Sequence, residues 1–264
     1  MIRQARNILV AVTLTGLAGA AHAQTEASHG AHAPTVRNVV LVHGAFADGS
    51  GWRGVYDRLT AQGYKVSIVQ NPLTSLADDV AATRRVLARQ DGPTILVGHS
   101  YGGTVITEAG ADPKVAGLVY VAALAPDTGE STGDQFAEIP APAGFVIEPQ
   151  ADGFGFVNLA KFKSGFAADI SDADAAFMRD SQVPIAMSAF GDKVTNAAWR
   201  VKPSWFVVAT EDGAIDPKLL RKTAIRIGAE AVEIKGSHVV FLSRPDAVAD
   251  VIDTAAKTAF RKKK

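Results

Sequence analysis

The chain of 264 residues contains no cysteine, so disulfides, thiolate nucleophiles and thiolate metal sites are all excluded. Its stability has to come from packing alone. It also lacks a surplus of charge, with 27 Lys and Arg against 27 Asp and Glu. Proteins that grip nucleic acid neutralise phosphates with a basic surplus, so no nucleic-acid partner is expected, and a small, weakly charged ligand fits better. Nor is there an apolar stretch long enough to cross a membrane. The longest candidate, Ile8 to Ala20, is broken by Thr13, Thr15 and Gly16 and falls short of the ~20 apolar residues a span requires.

That short run has another meaning. Arg3 and Arg6 precede it and Ala21-His22-Ala23 follows it, the charged, apolar and small-x-small parts of a secretory signal. Residues 1–23 are therefore expected to be removed after Ala23, giving a periplasmic or secreted protein with no stable membrane association after cleavage. The mature chain keeps 25 basic against 27 acidic residues. Residues 24–37 are small, polar and aperiodic and read as a flexible leader. His29 and His32 within it lack a third metal ligand.

From Asn38 onward the text alternates short β-branched runs with amphipathic stretches. "NVVLVH", "YKVSIVQ", "PTILVGH", "VAGLVYVAAL", "SWFVVAT" and "AVEIK" are bounded by Gly, Pro or Asp and predict strands. Between them, Leu76, Val80, Thr83 and Leu87 recur at helical spacing behind a capping pair, Ser75 and Asp78. Pro245 opens a closing helix with Val248, Val251, Ile252 and Ala255 on one stripe. Apolar strands alternating with helices imply an α/β chain, a parallel sheet covered on both faces. One region interrupts the rhythm. From about residue 126 to 194 the text is rich in Gly, Pro and Asp and holds eight of the twelve phenylalanines, which predicts an inserted cap above the strand ends. Most of these rings are expected to form the cap's own core and a minority to line a pocket. The terminal "FRKKK" reads as a solvated end.

The chemistry centres on "ILVGHSYGG". Gly98-His99-Ser100-Tyr101-Gly102 follows a strand and precedes a helical stretch, the G-x-S-x-G arrangement in its required context. Such a turn strains the serine backbone and exposes its hydroxyl, and glycines at either side remove side chains that would collide. Ser100 is the candidate nucleophile. Its base has to be a histidine, and six are present. Signal and leader account for His22, His29 and His32. His43 ends a strand and shapes a loop, while His99, adjacent to Ser100 in a tight turn, points away from its neighbour's hydroxyl. His238, after the last strand, remains. The acid should follow "SWFVVAT", where Asp212 is preferred, Glu211 is second, and Asp216-Pro217 resembles a helix cap. Two backbone amides have to stabilise the oxyanion. Tyr101 supplies one, and Ala45 or Phe46, with Ala45 preferred, the other.

Taken in order, "LVHGAFADGSGW", "GHSYGG", "TEDGAIDP" and "GSHVVFLSRP" resemble the α/β-hydrolases. The likeness is to the cap-bearing group of plant methyl-ester esterases, hydroxynitrile lyases and bacterial esterase relatives, over about residues 38 to 260. The resemblance implies a six-stranded, mostly parallel sheet with helices on both faces, and matches Ser100, Asp212 and His238 to the triad and Ala45 and Tyr101 to the oxyanion hole. It implies no metal and no organic cofactor, and a small apolar ester as the partner. The lyases of this group that resemble the rubber-tree type usually carry threonine where this chain has Gly44 and lysine where it has Val239, so both departures favour an esterase. A lyase, a cofactor-free perhydrolase or a non-catalytic ligand binder are the alternatives on the same scaffold.

Overall fold

The computed structural model describes residues 36–261. The expected signal peptide, all but the last two residues of the leader, and the three terminal lysines lie outside the described residues. The chain runs through β1 (Asn38–Val42), α1 (Arg53–Ala61), β2 (Lys65–Val69), α2 (Leu76–Ala88), β3 (Thr94–His99), α3 (Gly102–Ala109) and β4 (Val115–Val121). An inserted segment follows, with β5 (Ile147–Pro149), β6 (Phe154–Val157), α4 (Phe162–Phe166), α5 (Asp172–Asp180) and β7 (Ile185–Ala186). The main alternation then resumes with β8 (Ser204–Ala209), α6 (Pro217–Arg226), β9 (Glu230–Ile234), α7 (Val240–Ser243) and α8 (Pro245–Thr258).

The six expected strands form one sheet in the order β2-β1-β3-β4-β8-β9, and every pairing in it is parallel. The alternation of the sequence dictates this, because parallel neighbours need a crossover and the helices provide it. β1, β3 and β8 are buried at every residue, as strands covered on both faces must be. β9 is an edge strand, and four of its five residues are exposed, Glu230 and Glu233 among them. Charge on an edge discourages pairing with another chain.

The helices begin where their caps predict. The Ser75 hydroxyl accepts from the Asp78 amide at 3.0 Å and donates to the Asp78 carboxylate at 2.7 Å, while Leu76, Val80, Thr83 and Leu87 are all buried. Asp216 caps α6, accepting from the Lys218 amide at 2.8 Å, with Pro217 as the first helical residue. Pro245 opens α8, whose apolar stripe is buried.

The strand order places the site. From β1 the chain moves outward to β2, then returns to β3 on the other side of β1 and proceeds in the opposite direction. Ligands of open parallel sheets bind at such a reversal, outside the carboxyl ends of the strands. The loops leaving β1 and β3 are those carrying Ala45 and Ser100. Above them the cap builds a small antiparallel sheet, β5-β6-β7, and two short helices.

Candidate active site

Ser100 stands in the turn between β3 and α3 with φ +54°, a left-handed backbone that a side chain adopts only under strain. The turn is held from three sides. The Ser100 amide donates to the Val121 carbonyl at 3.2 Å, and the Ser100 carbonyl accepts from Gly103 and Leu124 at 2.9 and 3.2 Å. The flanking glycines are sterically required: a Cβ on Gly98 would sit 2.5 Å from the Gly102 carbonyl oxygen, and one on Gly102 would sit 2.7 Å from that of His43. Within this packed turn Ser100 keeps partial exposure while its neighbours are buried.

His238 follows β9 and Asp212 follows β8, and the register of that strand pair brings them together. The Asp212 carboxylate meets His238 Nδ1 at 2.8 Å, with both side chains essentially buried. The other Asp212 oxygen accepts from the Ala214 and Ile215 amides at 2.8 and 2.9 Å. An acceptor so fixed selects the His238 tautomer that donates from Nδ1 and leaves Nε2 as the basic nitrogen. Glu211 takes no part: it is exposed and lies 3.5 Å from Lys235. The loop carrying His238 is pinned on the cap side by Asp169, whose carboxylate accepts from the hydroxyls of Ser237 and Ser243.

The other two histidines among the described residues are both buried and both structural in their contacts. His43 joins the end of β1 to the end of β2: its Nδ1 donates to the Gly44 carbonyl at 2.9 Å and its Nε2 accepts from the Asn71 amide at 2.9 Å. Burial lowers its pKa. His99 turns away from Ser100, and its Nε2 donates to the backbone carbonyl of His238 at 2.9 Å. Its ring packs between Phe241 and His238, with centroids 4.5 and 4.6 Å away. Complete burial holds its pKa well below the ordinary histidine value, so it is neutral.

Ser100 and His238 both line a cavity of about 370 Å³, together with Ala45, Phe46 and Tyr101. The Ala45 and Tyr101 amides donate to no backbone or side-chain acceptor among the described residues, although both residues are nearly fully buried. Buried amides without acceptors are costly unless a ligand completes them. Apart from Thr132 the rest of the cavity wall is apolar, and it carries no Asp, Glu, Lys or Arg. Of the eight cap phenylalanines, four (Phe136, Phe145, Phe166 and Phe190) line it. Only Phe162 and Phe166 are buried outright, and Phe177 is 69% exposed. The expected division, mostly core with a minority at the pocket, is thus corrected. The buried residues of the insertion, Val157, Phe162, Phe166 and Ile185 among them, belong to one cluster with the core of the sheet, and half of the insertion's rings line the cavity.

Asp79 went unnoticed in the sequence. It lies on the buried face of α2, fully inaccessible, and accepts from the Tyr101 hydroxyl at 2.9 Å and the Leu73 amide at 2.8 Å. The available signal was a carboxylate inside the apolar stripe of Leu76, Val80, Thr83 and Leu87. No cluster of His, Asp or Glu suited to a metal ion occurs among the described residues, and none of their helices is long and apolar enough to cross a membrane.

A buried carboxylate-histidine pair that lines one cavity with a strained serine, on a six-stranded parallel sheet, defines a class before it defines a protein. Residues 39–251 match the family model described as the alpha/beta hydrolase family, and the chain belongs to that family. Among its relatives, a carbendazim hydrolyzing esterase of Nocardioides is 38% identical over 177 residues, which are 61% of this chain and 65% of that one. Salicylic acid-binding protein 2 of Nicotiana tabacum is 26% identical, over 84% of this chain and 98% of its own. A crystal structure of a pyrethroid hydrolase from Sphingobium faniae superposes with a TM-score of 0.70 at 21% identity, covering 86% of this chain and all of that one. These likenesses fall in the group that the four motifs resemble.

Proposed function

We propose that the protein hydrolyses carboxylic esters of small apolar molecules through an acyl-enzyme intermediate. The reading rests on one observation above the others: Ser100 and the Asp212-bound His238 border the same apolar cavity. His238 Nε2 takes the proton of Ser100 as the hydroxyl oxygen attacks the ester carbonyl carbon. The charge that develops on the carbonyl oxygen is met by the Ala45 and Tyr101 amides. Collapse expels the alcohol, which receives the proton from the imidazolium. Water then attacks the acyl group with His238 again as base, releasing the carboxylic acid and restoring Ser100.

Two further features support hydrolysis of a neutral ester. The cavity wall has no charged side chain to pair with an anionic substrate. Gly44 also has no room for the threonine expected of a lyase, since a Cβ there would lie 2.8 Å from that of Ser100 and 2.9 Å from the His99 carbonyl oxygen. The esterase named among the relatives belongs to the same chemical class. The decisive measurement is turnover of p-nitrophenyl acetate by Ser100→Ala, together with fluorophosphonate labelling. Both activities should vanish in the variant, and full turnover without Ser100 overturns the mechanism. Export is part of the same proposal: the protein should be recovered from the periplasm or medium with Gln24 as its first residue, and a chain confined to the cytoplasm with Met1 retained refutes it.

A further inference from the structure

A second cavity of about 290 Å³ lies on the other side of Phe46, between the loop after β1, helix α5 and the residues following His238. Its apolar lining includes Ile170, Met178, Phe241 and Leu242, with Phe177 at 69% exposure among them. Among the described residues Phe46 alone borders both this cavity and the one containing Ser100.

Phe46 is also an unusual wall. It is 3% exposed, and its backbone is left-handed at φ +63°, a conformation in which glycine would be less strained. A glycine there would relieve the backbone and remove the partition. The ring instead meets Phe145 and Phe190 at centroid distances of 6.2 and 6.3 Å, both of them rings of the catalytic cavity.

On the ester-hydrolase reading above, we propose that Phe46 sets the substrate's length. It closes the catalytic cavity at the point where a second, largely apolar compartment begins, and a smaller residue there joins the two and admits a long, uncharged arm of the ester. The second compartment also states what that arm cannot be. Asp48 and Asp174 line it, and neither has an ion-pair partner among the described residues. An arm ending in a carboxylate would meet two negative charges and no positive one.

The test compares kcat/KM for p-nitrophenyl acetate and p-nitrophenyl dodecanoate in the wild type, Phe46→Ala, Phe46→Leu, Met178→Trp and the double variant Phe46→Ala with Met178→Trp. Newly buried methylenes should raise the dodecanoate-to-acetate ratio about tenfold or more in Phe46→Ala, and by less in Phe46→Leu. Met178→Trp, which fills the second compartment, should leave the wild-type ratio within about twofold and cancel most of the gain in the double variant. The mono-p-nitrophenyl ester of dodecanedioic acid should gain nothing. Phe46→Leu keeps the test open if the alanine variant fails to fold. An unchanged ratio in whichever Phe46 variant folds overturns the proposal, as does a gain that survives Met178→Trp. A failure of the ester-hydrolase reading shows up separately, as acetate turnover that persists in Ser100→Ala.

Discussion

Asp79 offers a measurement in which a buried charge can be weighed. Its carboxylate is inaccessible to solvent and has two hydrogen bonds, from Leu73 and Tyr101, but no cation beside it. Burial therefore dominates, pushing its pKa from 3.8 up to about 6 against the opposing pull of the two donors. In the unfolded chain the group returns to the ordinary aspartate value, so between about pH 4 and pH 6 the native state binds more protons than the unfolded state. Stability then falls as pH rises through that window and levels off above it. The difference of roughly two pKa units corresponds to about 3 kcal/mol. Asp79→Asn keeps an oxygen to accept from Leu73 and cannot ionise. Urea unfolding of both proteins from pH 4 to pH 8 isolates the effect, because the other titrating groups cancel in the difference. The stability of Asp79→Asn relative to wild type should climb by about 3 kcal/mol across the window, on top of any constant offset from altered hydrogen bonding. A difference that stays flat with pH refutes the reasoning, for it means that the native carboxylate ionises as freely as in water.

The acid assignment separates two adjacent residues. Asp212→Asn should lower kcat by up to ~10⁴, since the amide can no longer hold His238 in the tautomer that frees Nε2, whereas Glu211→Gln, at an exposed pair with Lys235, should leave kcat nearly unchanged. Steady-state kinetics on p-nitrophenyl acetate decides this, and equal losses in the two variants refute the assignment.

The sheet was legible because each local signal agreed with the global one. β-branched runs, caps at Ser75 and Asp216 and a proline at residue 245 all mark boundaries that the packed structure keeps. The juxtaposition of His238 and Asp212 was legible too, because parallel strands place their following loops on one edge. The cap was not. Its rings carry no period that says whether they face one another or a cavity, and the answer depends on contacts with the core of the sheet, far away in sequence. His99 was half legible. Its proximity to Ser100 argued against its being the base, but its contact with the His238 carbonyl joins residues 139 positions apart, which no local pattern encodes.

Asp79 shows why such contacts persist despite their cost. The Leu73 amide that it accepts belongs to a residue with a left-handed backbone, φ +58°, and the Leu73 carbonyl accepts from the Ala186 amide of β7 in the cap at 2.8 Å. The hydroxyl that it accepts belongs to Tyr101, whose backbone amide lies beside Ser100. A single carboxylate thus connects the cap, the loop before α2 and the turn of the nucleophile. An apolar residue at position 79 would pack without the charge penalty, but it would leave the Leu73 amide and the Tyr101 hydroxyl buried without acceptors. The Leu73 donor cannot be deleted by substitution, because only proline lacks the amide and its ring does not reach φ +58°. Keeping all three holds the wall of the catalytic cavity in register with its roof, at the expense of some of the molecule's margin above pH 6.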